Sequence, residues 1–177
     1  GMLDKPGGGY FDARARRVGG HGVRIPGSGP VDTYRHYEVM LGRRDQKRLT
    51  GRATYMIRYD DGRIAVRYHS TDVITAYPDG KVVVTTGGWN PQGRYAHAGW
   101  GRAPTGTTTR DRINSYLHTG WHIYQQKGEW FWFNHGAGQG MWDSDLRLPY
   151  NDGDTIYPDG SLQLQADPIP IKKRRRT

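Results

Sequence analysis

Between residues 53 and 86 apolar and polar positions alternate with a period of two, in the runs "ATYMIRY", "RIAVRYH", "TDVITAY" and "KVVVTT". Each run is rich in β-branched or aromatic side chains. Between them stand "DDG" and "PDG", Asp-Gly pairs suited to the positive backbone angles of tight hairpin turns. The pattern predicts an antiparallel meander over residues 53–86. In its second strand Ile64, Val66 and Tyr68 share one face while Arg63, Ala65 and Arg67 share the other, so one face of the sheet is expected to display cations.

Helical spacing occurs twice. Val31, Tyr34, Tyr37 or Glu38, and Leu41 predict a helix over about 31–42, capped by Asp32 or Thr33 and ended near Gly42. In "TTTRDRINSYL" Thr108 can cap a helix over about 108–118 with Asp111 three residues on, and Ile113, Tyr116 and Leu117 form its apolar stripe. The runs "WHIYQQ" and "EWFWF" then read as strands joined at Lys127-Gly128, with Trp130 and Trp132 opposite Phe131 and Phe133. Tyr77–Gly80, "YPDG", recurs at Tyr157–Gly160, which points to two similar hairpins. The fold expected is β-rich α+β: a twisted antiparallel meander over about 53–86, a second small hairpin region over about 121–165, and one or two short helices. Residues 1–30 read as a Gly/Arg-rich arm, 31–165 as a single globular domain and 166–177 as a proline-containing basic tail.

Composition narrows this picture. Only 34% of the 177 residues are hydrophobic, so the core must lean on the six Trp and twelve Tyr. With no cysteine, disulfides, thiolate nucleophiles and thiolate zinc sites are excluded. The apolar runs are too short to span a membrane, so no membrane partner is expected. Net charge is +9, but the run Lys172 to Arg176 supplies +5 of it, leaving +4 on the rest of the chain.

Candidate chemistry is sparse. In "HSTD", His69 and Asp72 could form an acid-base pair, with Asp72 orienting the imidazole. The simpler reading, in which Ser70 and Thr71 make a turn, is favoured because no nucleophile or ligand cluster accompanies the pair. Of the seven histidines only His118 and His122 are four apart, and Gly120 spoils that spacing, so neither metal nor cofactor is expected. "TTGGW" and "PTGTTTRDR" bring glycines, hydroxyls, a helix start, Arg110 and Arg112 within reach of a phosphate, the ingredients of a site for a phosphorylated nucleotide. The loop "GGWNPQGRYAHAGWGR" interleaves Trp89, Tyr95 and Trp100 with Arg94 and Arg102, a combination that stacks on bases and neutralises phosphates.

The segment "LGRRDQKRLTGRATYMIRYDDGRIAVRYHSTDVITAYPDGKVVVTTGGW", with "TTTRDRIN" and "PYNDGDTIYPDG", is similar to a set of small proteins encoded by phages and prophages and of unknown function. That resemblance covers roughly residues 41–160 and implies an accessory or counter-defence factor in the cytoplasm of an infected bacterial host. It transfers no catalytic residue. The function expected is therefore binding of nucleic acid, or of a host complex containing it, rather than catalysis. Arg14, Arg16, Arg17, Arg67, Arg94, Arg102, Arg110 and Arg112 would hold phosphates together with Lys172, Lys173, Arg174, Arg175 and Arg176, while Trp89, Tyr95 and Trp100 stack. The alternatives are a binder that sequesters a phosphorylated nucleotide and an enzyme processing nucleic acid through His69 and Asp72.

Overall fold

The alternating segment folds as a continuous antiparallel meander. In the computed structural model, which describes residues 23–88, 105–134 and 146–170 (the side chains of 105–107 excepted), the elements run β1 (Arg24–Ile25), α1 (Thr33–Leu41), β2 (Gln46–Arg48), β3 (Thr54–Arg58), β4 (Ile64–Tyr68), β5 (Thr71–Ala76) and β6 (Val82–Val84). They continue with α2 (Thr105–Tyr116), β7 (Trp121–Gln126), β8 (Glu129–Asn134), β9 (Leu146–Pro149), β10 (Thr155–Ile156), β11 (Leu162–Gln163) and β12 (Ile169–Pro170). Two antiparallel sheets result, one of eight strands in the order β1-β11-β10-β6-β5-β4-β3-β2 and one of four in the order β12-β9-β8-β7.

The expected β-rich class and the meander are thus present, but the second hairpin region divides between the sheets. Its first hairpin, β7–β8, builds the smaller sheet, whereas the "YPDG" hairpin β10–β11 pairs through Thr155 and Ile156 with Val83 and Val82 and extends the meander. The fold also begins before residue 31, because Val23 and Ile25 are fully buried and β1 pairs with β11 at one edge of the large sheet. At the other end of the chain Pro170 sits in β12, an edge strand against β9, where its missing N–H costs no ladder bond.

One buried cluster joins everything. Met56, Val66, Ile74 and Val84 from the large sheet meet Ile123, Trp130, Trp132 and Leu148 from the small one, with Tyr37 and Leu41 of α1 and Ile113 and Leu117 of α2 between them. Fully burying one aliphatic side chain is worth roughly 1.5–3 kcal/mol, so a shared cluster of this kind ties both sheets and both helices into one cooperative unit. Trp130 and Trp132 are only 1% and 2% exposed, so both serve the core. Among the described residues no helix is long and apolar enough to cross a membrane.

Two helix details depart from expectation. Asp32 occupies the N-cap of α1 without a side-chain capping bond, and Thr33 instead donates its hydroxyl to the carbonyl of Leu117 at 3.0 Å, docking one helix on the other. Helix α2 starts at Thr105, so Thr108 lies inside the helix and does not cap it.

Candidate functional site

Within "HSTD", His69 and Ser70 form the two-residue turn between β4 and β5, while Thr71, paired with Tyr68, and Asp72 open β5; the turn expected at Ser70 and Thr71 thus lies one residue earlier. His69 carries a positive φ of 54°, its amide donates to the Ala53 carbonyl at 2.9 Å, and its exposed ring lies on Tyr68 at 4.4 Å. Asp72 belongs to a different group. The register slips between Val66 and Arg67, a bulge that buries both Val73 and Ile74 and sets Asp72 opposite Arg67 on the outer face of the large sheet. Arg67 Nε donates to Asp72 at 2.9 Å, Arg67 also donates to the Tyr59 hydroxyl at 2.7 Å, and that hydroxyl donates to the other Asp72 oxygen. The carboxylate is satisfied by these two partners, and burial together with Asp72 raises the Tyr59 pKa. Arg67, a phosphate candidate from sequence, is thereby committed to an ion pair.

The other motifs are similarly occupied with structure. Asp152 accepts from the Thr86 amide at 2.8 Å, the Thr86 hydroxyl, the Gly88 amide at 3.0 Å and the Tyr150 hydroxyl at 2.8 Å. An anion placed at "TTGG" would have to displace this carboxylate. Because α2 begins at Thr105, the amides of Thr108 to Arg110 lie inside the helix and not at its free N-terminal end. In "TTTRDRIN", Arg110 donates to Gln125 at 2.6 Å and Arg112 donates to buried Thr54 at 2.9 Å, packing over the Tyr68 ring. Asn114 accepts from the Ile123 amide at 2.7 Å and donates to its carbonyl at 2.8 Å, which pins α2 to β7. His118 and His122 diverge, His118 packing tilted against His36 at 4.1 Å and His122 meeting Phe133 edge to face at 5.2 Å. Among the described residues no three His, Asp or Glu side chains come together as a metal-binding group.

Three turns at one end of the large sheet repeat a single design. At Tyr59, Tyr77 and Tyr157 the tyrosine amide bonds the carbonyl four residues on, and the glycine amide bonds back to the tyrosine carbonyl. The turn aspartates 61, 79 and 159 each accept from the amide two residues on. A cation lies over each ring: Arg63 at 4.9 Å, Lys81 at 4.6 Å and Arg24 at 4.1 Å. In the third turn Ser161 stands where the others have Arg63 and Lys81, and Arg24 comes across from β1 to supply the charge, its Nε bonding the Ser161 hydroxyl. Sequence reading finds the two "YPDG" copies and leaves "YDDG" apart; only the sheet order makes the three neighbours.

A basic edge escapes the sequence reading altogether. Between positions 43 and 58 six cations face one carboxylate, Asp45. Taking this net +5 and the tail's +5 from the total of +9 leaves the remainder of the chain at −1, so outside the tail the net charge is concentrated here. The segment runs from the end of α1 along β2, the edge strand beside β3. Lys47 and Arg58 have local duties, donating to the Met40 and Gly42 carbonyls at the C-terminus of α1. Arg43, Arg44, Arg48 and Arg52 are exposed, and among the described residues no side-chain hydrogen bond or ion pair engages them. The run "RRDQKR" is the available signal, hidden when the excess charge is assigned to the tail.

Arg14, Arg16, Arg17, Trp89, Arg94, Tyr95, Trp100, Arg102 and Lys172 to Arg176 lie outside the described residues. Comparison with known families, characterised proteins and solved structures gives no match.

Proposed function

We propose that the protein binds nucleic acid, and that the β2 edge is the principal binding surface within the fold. The observation that carries this reading is the group Arg43, Arg44, Arg48 and Arg52, exposed within residues 43–52 in and around β2 and, among the described residues, without side-chain partners. Guanidiniums that serve no structural end and concentrate on one edge provide the charge pattern a phosphate backbone meets. The motif segments argue against catalysis at "HSTD", since His69 and Asp72 are drawn into separate local groups. The tail cations Lys172 to Arg176 are proposed to add non-specific affinity. The setting proposed with this function, a phage-encoded accessory or counter-defence factor inside a bacterial host, rests on the motif resemblance.

Salt titration tests it. Every phosphate that is no longer neutralised lowers the slope of log affinity against log salt by just under one unit. Replacing Arg43, Arg44, Arg48 and Arg52 by Ala is expected to flatten that slope by several units while the melting temperature holds, and deleting Lys172 to Arg176 measures the tail's share separately. An unchanged slope in the quadruple variant removes the edge from the interface.

A further inference from the structure

The outer face of the large sheet next to this edge carries rings as well as charge. Cross-strand pairing aligns Arg48, Tyr55 and Arg67 in one row and Gln46, Ile57 and Ala65 in the next. Side chains directly opposite on one face lie about 5 Å apart at Cβ, so Tyr55 and Ile57 directly adjoin the edge strand. Both are partly exposed. On this same face Tyr59, Tyr77 and Tyr157 are each covered by a cation, and the hydroxyls of Tyr59 and Tyr157 are bonded to Asp72 and Gln163. Tyr55 differs. Among the described residues no cation lies over its ring and no hydrogen bond engages its hydroxyl. A partly apolar surface at Tyr55 and Ile57 therefore adjoins the edge strand and its uncommitted guanidiniums.

Resting on the nucleic-acid reading above, we propose that this border selects a single strand. Bases stack on Tyr55 and Ile57 while the backbone follows β2 over Arg43, Arg44, Arg48 and Arg52. In a duplex the base faces are already stacked on one another and cannot lie on a sheet, whereas a single strand offers them freely, and every base has a face to stack. The charge complementarity of the edge would serve both forms; the ring discriminates between them.

The test uses the full chain, a fluorescein-labelled oligo-dT strand and a labelled duplex of equal length, read by anisotropy at low and moderate salt. Tyr55→Leu is expected to weaken single-strand binding roughly 5- to 150-fold, the range of losing one base-aromatic stack, and to leave duplex affinity unchanged. Tyr55→Phe should retain the affinity, and Tyr55→Thr, a strand former without a ring, should behave as Leu does and replaces it if Leu disturbs the fold. Equal binding of strand and duplex, or a Tyr55→Leu loss common to both, overturns the selection of a single strand. If Arg43→Gln/Arg44→Gln still weakens both forms in that case, the nucleic-acid reading survives; absence of binding by the parent protein at low salt removes both.

Discussion

At the scale of single residues, the main question is what a carboxylate is for. Asp72 and His69 are three apart, yet Asp72 holds Arg67 and Tyr59 while His69 only turns the chain. Losing Asp72 to Ala is expected to cost about 1–2 kcal/mol by stranding a guanidinium and a hydroxyl. His69→Gly, which relieves a left-handed backbone, is expected to hold or raise stability by up to about 1 kcal/mol. Urea denaturation measures both, and loss of function in His69→Gly at an unchanged urea midpoint would make the turn a site. Asp154 is a second case. It is fully buried, and burial pushes its carboxyl up to about 7, against the opposing bonds from the Asn151 amide, the Trp132 indole and the Gln165 amide, with Asp152 raising it further. A carboxyl raised in the folded state above its ordinary 3.8 binds its proton more tightly there, so its stabilisation is complete below about pH 4 and is lost as pH rises to about 7. The melting temperature should therefore fall across that window, by the equivalent of a few kcal/mol for this group. The slope should flatten in Asp154→Asn; a variant that keeps the full slope assigns the titration elsewhere.

At the scale of elements, the three tyrosine turns show how local chemistry becomes a row. Gly80 has φ +98°, and a Cβ there would stand 2.7 Å from Pro158 Cγ of the neighbouring turn. Gly128, between β7 and β8, has φ +80° and nothing within 4 Å of the same position. Gly128→Ala should thus cost only the left-handed backbone term, roughly 1–2 kcal/mol, and Gly80→Ala that term plus the parting of two turns, about 1 kcal/mol more. Equal midpoint shifts for the two variants would show that the turns do not press on each other. Hairpins of this kind are legible in a sequence because partners lie within a few residues and Asp-Gly names the turn. The start of α2 is harder to read, because "PTGTTT" places Gly106 in the first turn and offers several hydroxyls as caps; Pro104 just before the helix is the better signal.

At the scale of the whole molecule, the shared cluster predicts one transition on unfolding. Trp130→Ala, in the small sheet, should cost about 3–5 kcal/mol through the cavity it leaves and should lower the melting point of the large sheet equally. Backbone-amide exchange followed separately in β4 and β8 checks this, and a β8 that opens while β4 stays protected would divide the molecule into two units. Tyr150 belongs to the shared cluster, its ring 5.4 Å from Trp130 and 5.6 Å from Trp132 of β8, and its hydroxyl donates to Asp152, which also accepts from Thr86 just after β6.

Period-two alternation, Asp-Gly turns and an aromatic-rich composition were enough to determine the meander, the β7–β8 hairpin and the presence of two helices, because each depends on residues close in the chain. Three things only the tertiary structure decided. The "YPDG" hairpin of Tyr157 joins the meander across more than seventy intervening residues, a pairing set by which edge of the sheet remained to be covered. Arg24 completes the third tyrosine turn from β1, since a cation over a ring requires proximity in space and no particular spacing in sequence. And of the many arginines, those at 67, 110 and 112 proved to be bonded within the fold while, among the described residues, 43, 44, 48 and 52 did not; charge is written in the sequence, but whether a charge is already satisfied depends on what the fold brings beside it.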